Sequence, residues 1–206
     1  MKILVINPNT SETNRQILID TLAPYQEPDT VIDVVNAKRG PEGLESYYHK
    51  QIQGAEILPM VKKAEEDGYD GVVIACYGDP GTADSSVPRI ERFIRQLGLN
   101  EELGEVRAIN PGIAWTIVDS LMNREKSKQL IIKACKNALE ESNAELIILG
   151  CSEMSEHAAA IQKELGIPVI DPVVTAVQLT IALIKMNLAQ SKHLCYQKPP
   201  EFKMKE

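Results

Sequence analysis

Short apolar runs alternate along the chain with longer stretches whose apolar residues recur at helical spacing. Residues 2–7, 30–36 and 70–76 have the length and the continuous hydrophobicity of strands that are buried on both faces. Helices are predicted between them, over about 12–22 and 48–67. Because strands and helices alternate, we expect a parallel sheet with right-handed crossovers.

The second helix has an apolar stripe that predicts its buried face, formed by Ile52, Ala55, Leu58, Val61 and Ala64. The rest of the chain follows the same plan with fewer strands. Its predicted strands span 105–109, 144–150 and 168–170, and its predicted helices span 88–97, 114–141 as one or two helices, a segment that ends at 165, and 172–186.

Composition and charge limit the kinds of molecule that the chain is expected to bind. The chain has 206 residues with 22 basic and 29 acidic side chains, a formal charge of −7, and no basic stripe interleaved with aromatic residues. It therefore predicts no nucleic-acid or membrane-surface role, and a small molecule is the expected partner. The first apolar run is too short for a signal peptide, and no stretch has the length of a membrane span, so a cytoplasmic location is expected.

The four cysteines are Cys76, Cys135, Cys151 and Cys195. In a reducing compartment we expect free thiols, and neither their spacing nor the scattered histidines favour a metal site. Motifs for dinucleotides, nucleoside triphosphates, zinc proteases and serine hydrolases are absent from the sequence. A cysteine is more often a small core residue than a catalyst, and we interpret Cys135 in this way.

Two segments have the same pattern, an apolar run of strand length that ends at a cysteine. The run 70–76 ends at Cys76 and is followed by Tyr77 and Gly78, and the run 144–151 ends at Cys151 and is followed by Ser152. In parallel α/β sheets, reactive groups lie beyond the carboxyl ends of the strands. Two thiols presented in the same way therefore suggest a single site with two acid-base groups, which could remove a proton from one face of a carbon and return it to the other.

The surrounding residues indicate how such a site would work. The start of a helix favours a thiolate, and the backbone N–H groups near Gly78 and Ser152 are expected to stabilise an enolate oxygen. Asn7, at the end of the first strand, is either a substrate ligand or part of an ordinary turn. Leu44 either lines the pocket or simply packs.

These motifs resemble the hydantoin racemase branch of the aspartate/glutamate racemase superfamily over almost the whole chain. The resemblance is carried by the segments 6–11, 40–41, 74–81, 106–108, 149–151 with Met154, 168–171 and 191–192. It implies two pseudo-symmetric α/β lobes with a cofactor-independent site between them, at which Cys76 and Cys151 would be catalytic. It also implies a homo-oligomer and a ring substrate such as a hydantoin or allantoin. The residues that we expect to bind the substrate are Asn7, Leu44, Tyr77, Gly78, Gly150 and Ser152.

The chain departs from this pattern in two places. Ser152 and Glu153 stand where family members usually have alanine and glycine, and a carboxylate at that point is expected to raise the pKa of the neighbouring thiol. After Gly81 the chain lacks about one βα unit of the family pattern, on the order of 30 residues. We therefore expect a first lobe of 1–81 with 172–206, and an incomplete second lobe of 82–171.

Several functions stay open at this point. A hydantoin racemase is favoured because both cysteines are present. The alternatives are an allantoin racemase, a ureide-binding protein without turnover, a truncated homologue, and a decarboxylase or isomerase that uses one cysteine.

Overall fold

The first part of the chain forms the predicted alternation of strands and helices. The structure is a computed structural model that describes residues 1–44, 46–76, 117–142 and 144–193. In this first part the elements are β1 (Lys2–Asn7), α1 (Glu12–Leu22), a short 3-10 turn (Ala23–Tyr25), β2 (Val31–Asn36), α2 (Tyr47–Glu66) and β3 (Gly71–Ile74).

These three strands form a parallel sheet in the order β2-β1-β3. One face of β1 carries Ile3 and Val5 into a core shared with α1. The opposite face carries Leu4 and Ile6 against Ile57 and Ala64 of α2. Because both faces of β1 are covered, all of its apolar side chains are buried, which explains its unbroken apolar sequence.

The second part contains helices α3 (Ile117–Met122) and α4 (Arg124–Glu141), strand β4 (Ile147–Ile148), a 3-10 helix (Ser152–His157), helix α5 (Ala158–Leu165), strand β5 (Val169–Ile170) and helix α6 (Pro172–Lys185). Strands β4 and β5 pair in parallel as a second sheet. Their core includes Leu149, Val169 and Cys135, so the interpretation of Cys135 as a core residue is confirmed.

Helix α6 returns to the first sheet. Its residues Val173, Val177 and Ile181 are buried in the core that β1 shares with α1. The 3-10 helix after Cys151 also packs against α1 and α6. This packing places the carboxyl end of β4 beside the first sheet, near the start of α1.

The structure corrects part of the predicted buried face of α2. Ala64 is buried as predicted and Val61 packs beside it, but Ile52 and Leu58 are 43% and 71% exposed. Gln53 and Ile57 are buried in their place. A polar residue can occupy this face because the Gln53 side chain donates a hydrogen bond to the carbonyl oxygen of Arg39, in the loop before the helix, at 2.9 Å.

Other differences concern the length of elements. The predicted strand at 144–150 is reduced to Ile147–Ile148, and the helix predicted after it begins as a 3-10 helix. The predicted pair of helices divides at Asn123. The predicted elements at 88–97 and 105–109, and the position of the missing βα unit, lie outside the described residues.

Candidate active site

The carboxyl end of β1 is organised by a network of asparagines. The wholly buried Asn7 donates from Nδ2 to Oδ1 of Asn9 at 2.7 Å and to Oδ1 of Asn36 at 2.8 Å. Its own Oδ1 accepts from Nδ2 of Asn14 at 3.1 Å. Asn7 thus uses its amide to hold the ends of β1, β2 and α1 together, and its predicted contact with a substrate stays a prediction.

Sequence reasoning noticed Asn7 but not its partners. Asn7 and Asn36 pair in register at the ends of β1 and β2. Two neighbouring predicted strands each end in an asparagine, and this pattern could have revealed the network. Asn14 could not be found in this way, because its place depends on how α1 packs.

The loop 38–44 covers one side of this edge. The backbone N–H of Thr10 donates to the carbonyl oxygen of Pro41 at 3.1 Å, and its hydroxyl donates to that of Gly40 at 3.3 Å. Gly40 has a φ of +129°, and a Cβ there would lie 1.9 Å from Oε1 of Gln53. Leu44, at the end of this loop, is buried, which agrees with either a pocket wall or simple packing.

Cys76 lies just beyond β3 and next to the end of β1. The backbone N–H of Ala75 donates to the carbonyl oxygen of Ile6 at 2.9 Å, so the strand pairing continues up to the residue before the cysteine. The backbone N–H of Cys76 then turns back to the carbonyl oxygen of Ile74 at 2.8 Å. The residue is partly exposed. Tyr77 and Gly78, which were expected to bind substrate, lie outside the described residues.

Cys151 lies beyond β4 and begins the 3-10 helix. Gly150 is exposed, and no atom of the described chain lies within 4 Å of where its Cβ would be. Ser152 is buried. The Cys151 thiol donates a hydrogen bond to the carboxylate of Glu153, which is itself buried.

The environment of Cys151 raises the pKa of its thiol well above the ordinary value. Burial is the largest cause, followed by the charge and the hydrogen bond of the Glu153 carboxylate, and then by the charge of Cys76. The backbone N–H of Glu153 acts in the opposite direction and is outweighed. The expectation that a helix start favours the thiolate is therefore wrong for Cys151, whereas the expected effect of Glu153 is confirmed.

The two predicted cysteines influence each other electrostatically. Cys76 lies beyond a strand of the first sheet and Cys151 beyond a strand of the second, yet the charge of Cys76 is one of the causes that raise the pKa of Cys151. The 3-10 helix that follows Cys151 packs against α1, which covers the first sheet. A protonated thiol and a second sulfur near it form a pair that can exchange protons with one bound carbon acid.

The described part of the chain contains neither a metal-binding cluster nor a helix that could cross a membrane. Within residues 1–44, 46–76, 117–142 and 144–193, no group of three or more histidine, cysteine, aspartate and glutamate side chains is arranged to hold a metal ion. Among the helices of those same segments, none has the length and hydropathy needed to cross a membrane.

Solved structures share this fold. An allantoin racemase from Klebsiella pneumoniae superposes with a TM-score of 0.90 at 24% sequence identity, over 100% of this chain and 96% of the other. An allantoin racemase from Pseudomonas fluorescens gives 0.86 at 24% identity, with both chains covered completely. The predicted α/β fold with parallel sheets is confirmed.

The sequence comparisons identify the family. The model of the Asp/Glu/hydantoin racemase family matches residues 3–85 and 81–180. A hydantoin racemase of a Pseudomonas species is 33% identical over 97% of this chain and 92% of its own length. One from Paenarthrobacter aurescens is 31% identical, with 98% of each chain covered. The chain belongs to the Asp/Glu/hydantoin racemase family, as its cysteine motifs predicted.

Proposed function

We propose that this chain is a cofactor-independent racemase of hydantoin-type rings that moves a proton between two cysteines and the α-carbon. The observation that carries the proposal is the placement of Cys76 and Cys151 beyond strands of different sheets, near enough that the charge of Cys76 is one cause of the raised pKa of Cys151. The similarity to hydantoin racemases above 30% identity supports the ring substrate.

In this mechanism the two thiols have different resting states. Cys151 begins as the thiol, because burial and the Glu153 carboxylate raise its pKa. Cys76 begins as the thiolate and removes the α-proton from one face of the ring, which leaves an enolate. Cys151 then delivers its proton to the opposite face, so that the product has the other hand, Cys76 is a thiol and Cys151 is a thiolate.

The reverse direction starts where the forward direction ends, with Cys76 as the thiol and Cys151 as the thiolate. Cys151 then removes the α-proton and Cys76 returns a proton to the opposite face, which restores the first state of the pair. The Glu153 carboxylate accepts the thiol proton of Cys151 and so favours the form in which Cys151 is the thiol. The backbone near Gly150 and Ser152, and Asn7 with Leu44, would orient the ring.

We also propose that the second lobe, 82–171, is shortened near Gly81. The family model matches in two pieces whose junction falls at 81–85, which supports a break in the pattern at that point. The alignment with the Pseudomonas hydantoin racemase is 233 residues long and this chain has 206, so the relative has residues without a counterpart here.

A homo-oligomer is part of the proposal. Leu179, Leu183 and Met186 recur along one side of α6 and are 57%, 39% and 58% exposed. Apolar residues at this spacing on a surface helix are typical of a helix that packs against another chain. Light scattering of the purified protein would distinguish a monomer from a larger assembly.

Proton exchange at the α-carbon tests the central proposal. Purified protein is incubated in deuterium oxide with single enantiomers of 5-substituted hydantoins and of allantoin, and exchange is followed by NMR together with optical rotation. We expect deuterium incorporation with loss of rotation, and a loss of at least about a thousandfold in Cys76→Ser and in Cys151→Ser. Cys135→Ala is the matched control, because Cys135 is a core thiol, and it should retain activity.

The other outcomes separate the alternatives. Loss of activity in only one cysteine variant would favour a decarboxylase or isomerase. Ligand-dependent melting without exchange would indicate a ureide-binding protein, and the absence of a cooperative unfolding transition would indicate a truncated homologue. Exchange with allantoin alone would identify the substrate as allantoin.

A further inference from the structure

Three buried polar atoms, on elements that pack together around the 3-10 helix after Cys151, have no hydrogen-bond partner among the described residues. They are Oδ1 of Asn14, Oγ of Ser155 and Oδ2 of Asp171, on residues that are 0%, 5% and 9% exposed. The two other such atoms in the described chain belong to His49 and Gln53 of α2. A buried polar atom without a partner costs free energy, so three such atoms on elements that pack together require an explanation.

The three residues lie on elements that pack together. Asn14 is in the first turn of α1, Ser155 is in the 3-10 helix that follows Cys151, and Asp171 caps α6. Each of these elements contacts the other two. Asp171 also directly follows β5, whose Ile170 accepts a hydrogen bond from the backbone N–H of Leu149 at 3.0 Å. The cluster therefore adjoins the strand end that carries Cys151.

The other polar atoms of Asn14 and Asp171 already take part in hydrogen bonds, and this determines which kind of group the unpaired atoms can bind. Nδ2 of Asn14 donates to Asn7, so the free atom is the carbonyl oxygen. Oδ1 of Asp171 accepts the backbone N–H groups of Val173 and Val174 at 2.7 and 3.1 Å, which leaves Oδ2 free. Two free acceptors and one hydroxyl are complementary to a group that donates hydrogen bonds.

We propose that Asn14, Ser155 and Asp171 bind the N–H groups of the ring substrate beside Cys151. This inference rests on the proposed function and names the residues that recognise the substrate. A cyclic ureide presents N–H groups next to its carbonyl carbons and has no carboxylate. The Glu153 carboxylate lies in the same 3-10 helix as Ser155, and a cluster of hydrogen-bond acceptors repels a ligand carboxylate. This site therefore selects the closed ring over the open-chain N-carbamoyl amino acid, which has a carboxylate.

Asp171→Asn is the sharpest test. Asparagine caps a helix as well as aspartate, so one oxygen can still accept the N–H groups of α6, but the free oxygen is replaced by an NH₂ group that donates. The affinities of a 5-substituted hydantoin and of its N-methylated derivatives are measured by calorimetry on wild type, Asp171→Asn and Ser155→Ala. Asp20→Asn, an exposed carboxylate of α1, is the charge-matched control.

We expect Asp171→Asn to weaken binding of the hydantoin about ten- to a hundredfold, and Ser155→Ala to weaken it by a smaller factor. N-methylation should weaken binding to wild type, with little further loss in Asp171→Asn, because both changes remove the same hydrogen bond. Asp20→Asn should bind as wild type does. Melting temperatures without ligand report whether each variant folds.

Unchanged affinity in both variants, together with a wild type that exchanges the α-proton, would overturn this inference alone. Lower melting temperatures with unchanged affinity would also overturn it, since the three atoms would then hold a buried water. If wild type neither binds nor exchanges any ring of the panel, the proposed function fails and this inference fails with it.

Discussion

Replacing Glu153 by glutamine should make Cys151 more acidic and more reactive. The carboxylate raises the pKa of the Cys151 thiol in two ways, by its charge and by accepting the thiol proton. Glutamine has nearly the same shape and removes the charge. Burial and Cys76 continue to raise the pKa, so the substitution lowers it without bringing it below the ordinary value of a thiol.

The direction of the effect follows from the contact. A like charge at short range raises a pKa, and because an amide still accepts a hydrogen bond, Glu153→Gln removes the effect of the charge alone and lowers the pKa of Cys151. At pH 8 the thiolate fraction then rises about tenfold for each unit by which the pKa falls. A less basic thiolate is a weaker nucleophile, so the alkylation rate rises by only about threefold for the same change.

The assay is alkylation of Cys151 by iodoacetamide as a function of pH, with the modified peptide identified by mass spectrometry. Glu156→Gln is the matched control, because Glu156 lies on the same 3-10 helix and pairs with Arg124 at the surface. It should leave the pH midpoint of Cys151 unchanged. The reasoning is refuted if Glu153→Gln does not move that midpoint to lower pH, or if Glu156→Gln moves it equally.

Three further predictions concern stability. Gly40→Ala should lower the free energy of unfolding in urea by about 2–4 kcal/mol, because φ is positive there and the new Cβ would clash with Gln53. Gly68→Ala, at a position with φ +76° and open space, should cost about 1–2 kcal/mol. Equal costs for the two substitutions would contradict the clash. Burial raises the pKa of Tyr69 to about 12, so stability should fall as pH rises from 10 to 12, and Tyr69→Phe should lose this dependence in alkaline urea melts. Burial lowers the pKa of His157, so stability should fall as pH drops below about 6.5; an equal fall in His157→Gln would disprove it.

Local sequence was enough to predict the first sheet. The strand and helix that begin the chain were predicted at 2–7 and 12–22, and they span Lys2–Asn7 and Glu12–Leu22. A strand covered on both faces needs a continuous apolar run, and Ser11 caps the helix with its own side chain. The cap joins residues that are close in sequence, and the apolar run is the mark that burial on both faces leaves in a strand, so the pattern alone predicts both elements.

The buried face of α2 depended on contacts that the pattern does not contain. Its apolar stripe predicted Ile52 and Leu58 as buried, but both are exposed, and Gln53 is buried with its amide hydrogen-bonded to Arg39 in the preceding loop. A polar residue thus occupies a place on the buried face because a loop supplies its hydrogen-bond partner. Such a contact depends on the path of a loop, which composition and spacing do not specify.

The candidate site shows the same division. The sequence by itself determined that two thiols end apolar strands, that a carboxylate follows the second, and that the chain resembles racemases. Only the tertiary structure decided that Cys76 and Cys151 influence each other, that Cys151 is held as a thiol, and that Asn14, Ser155 and Asp171 lie on elements that pack together. The reason is physical: a pKa and an unpaired polar atom depend on burial and on neighbours from distant segments, which exist only once the helices have packed.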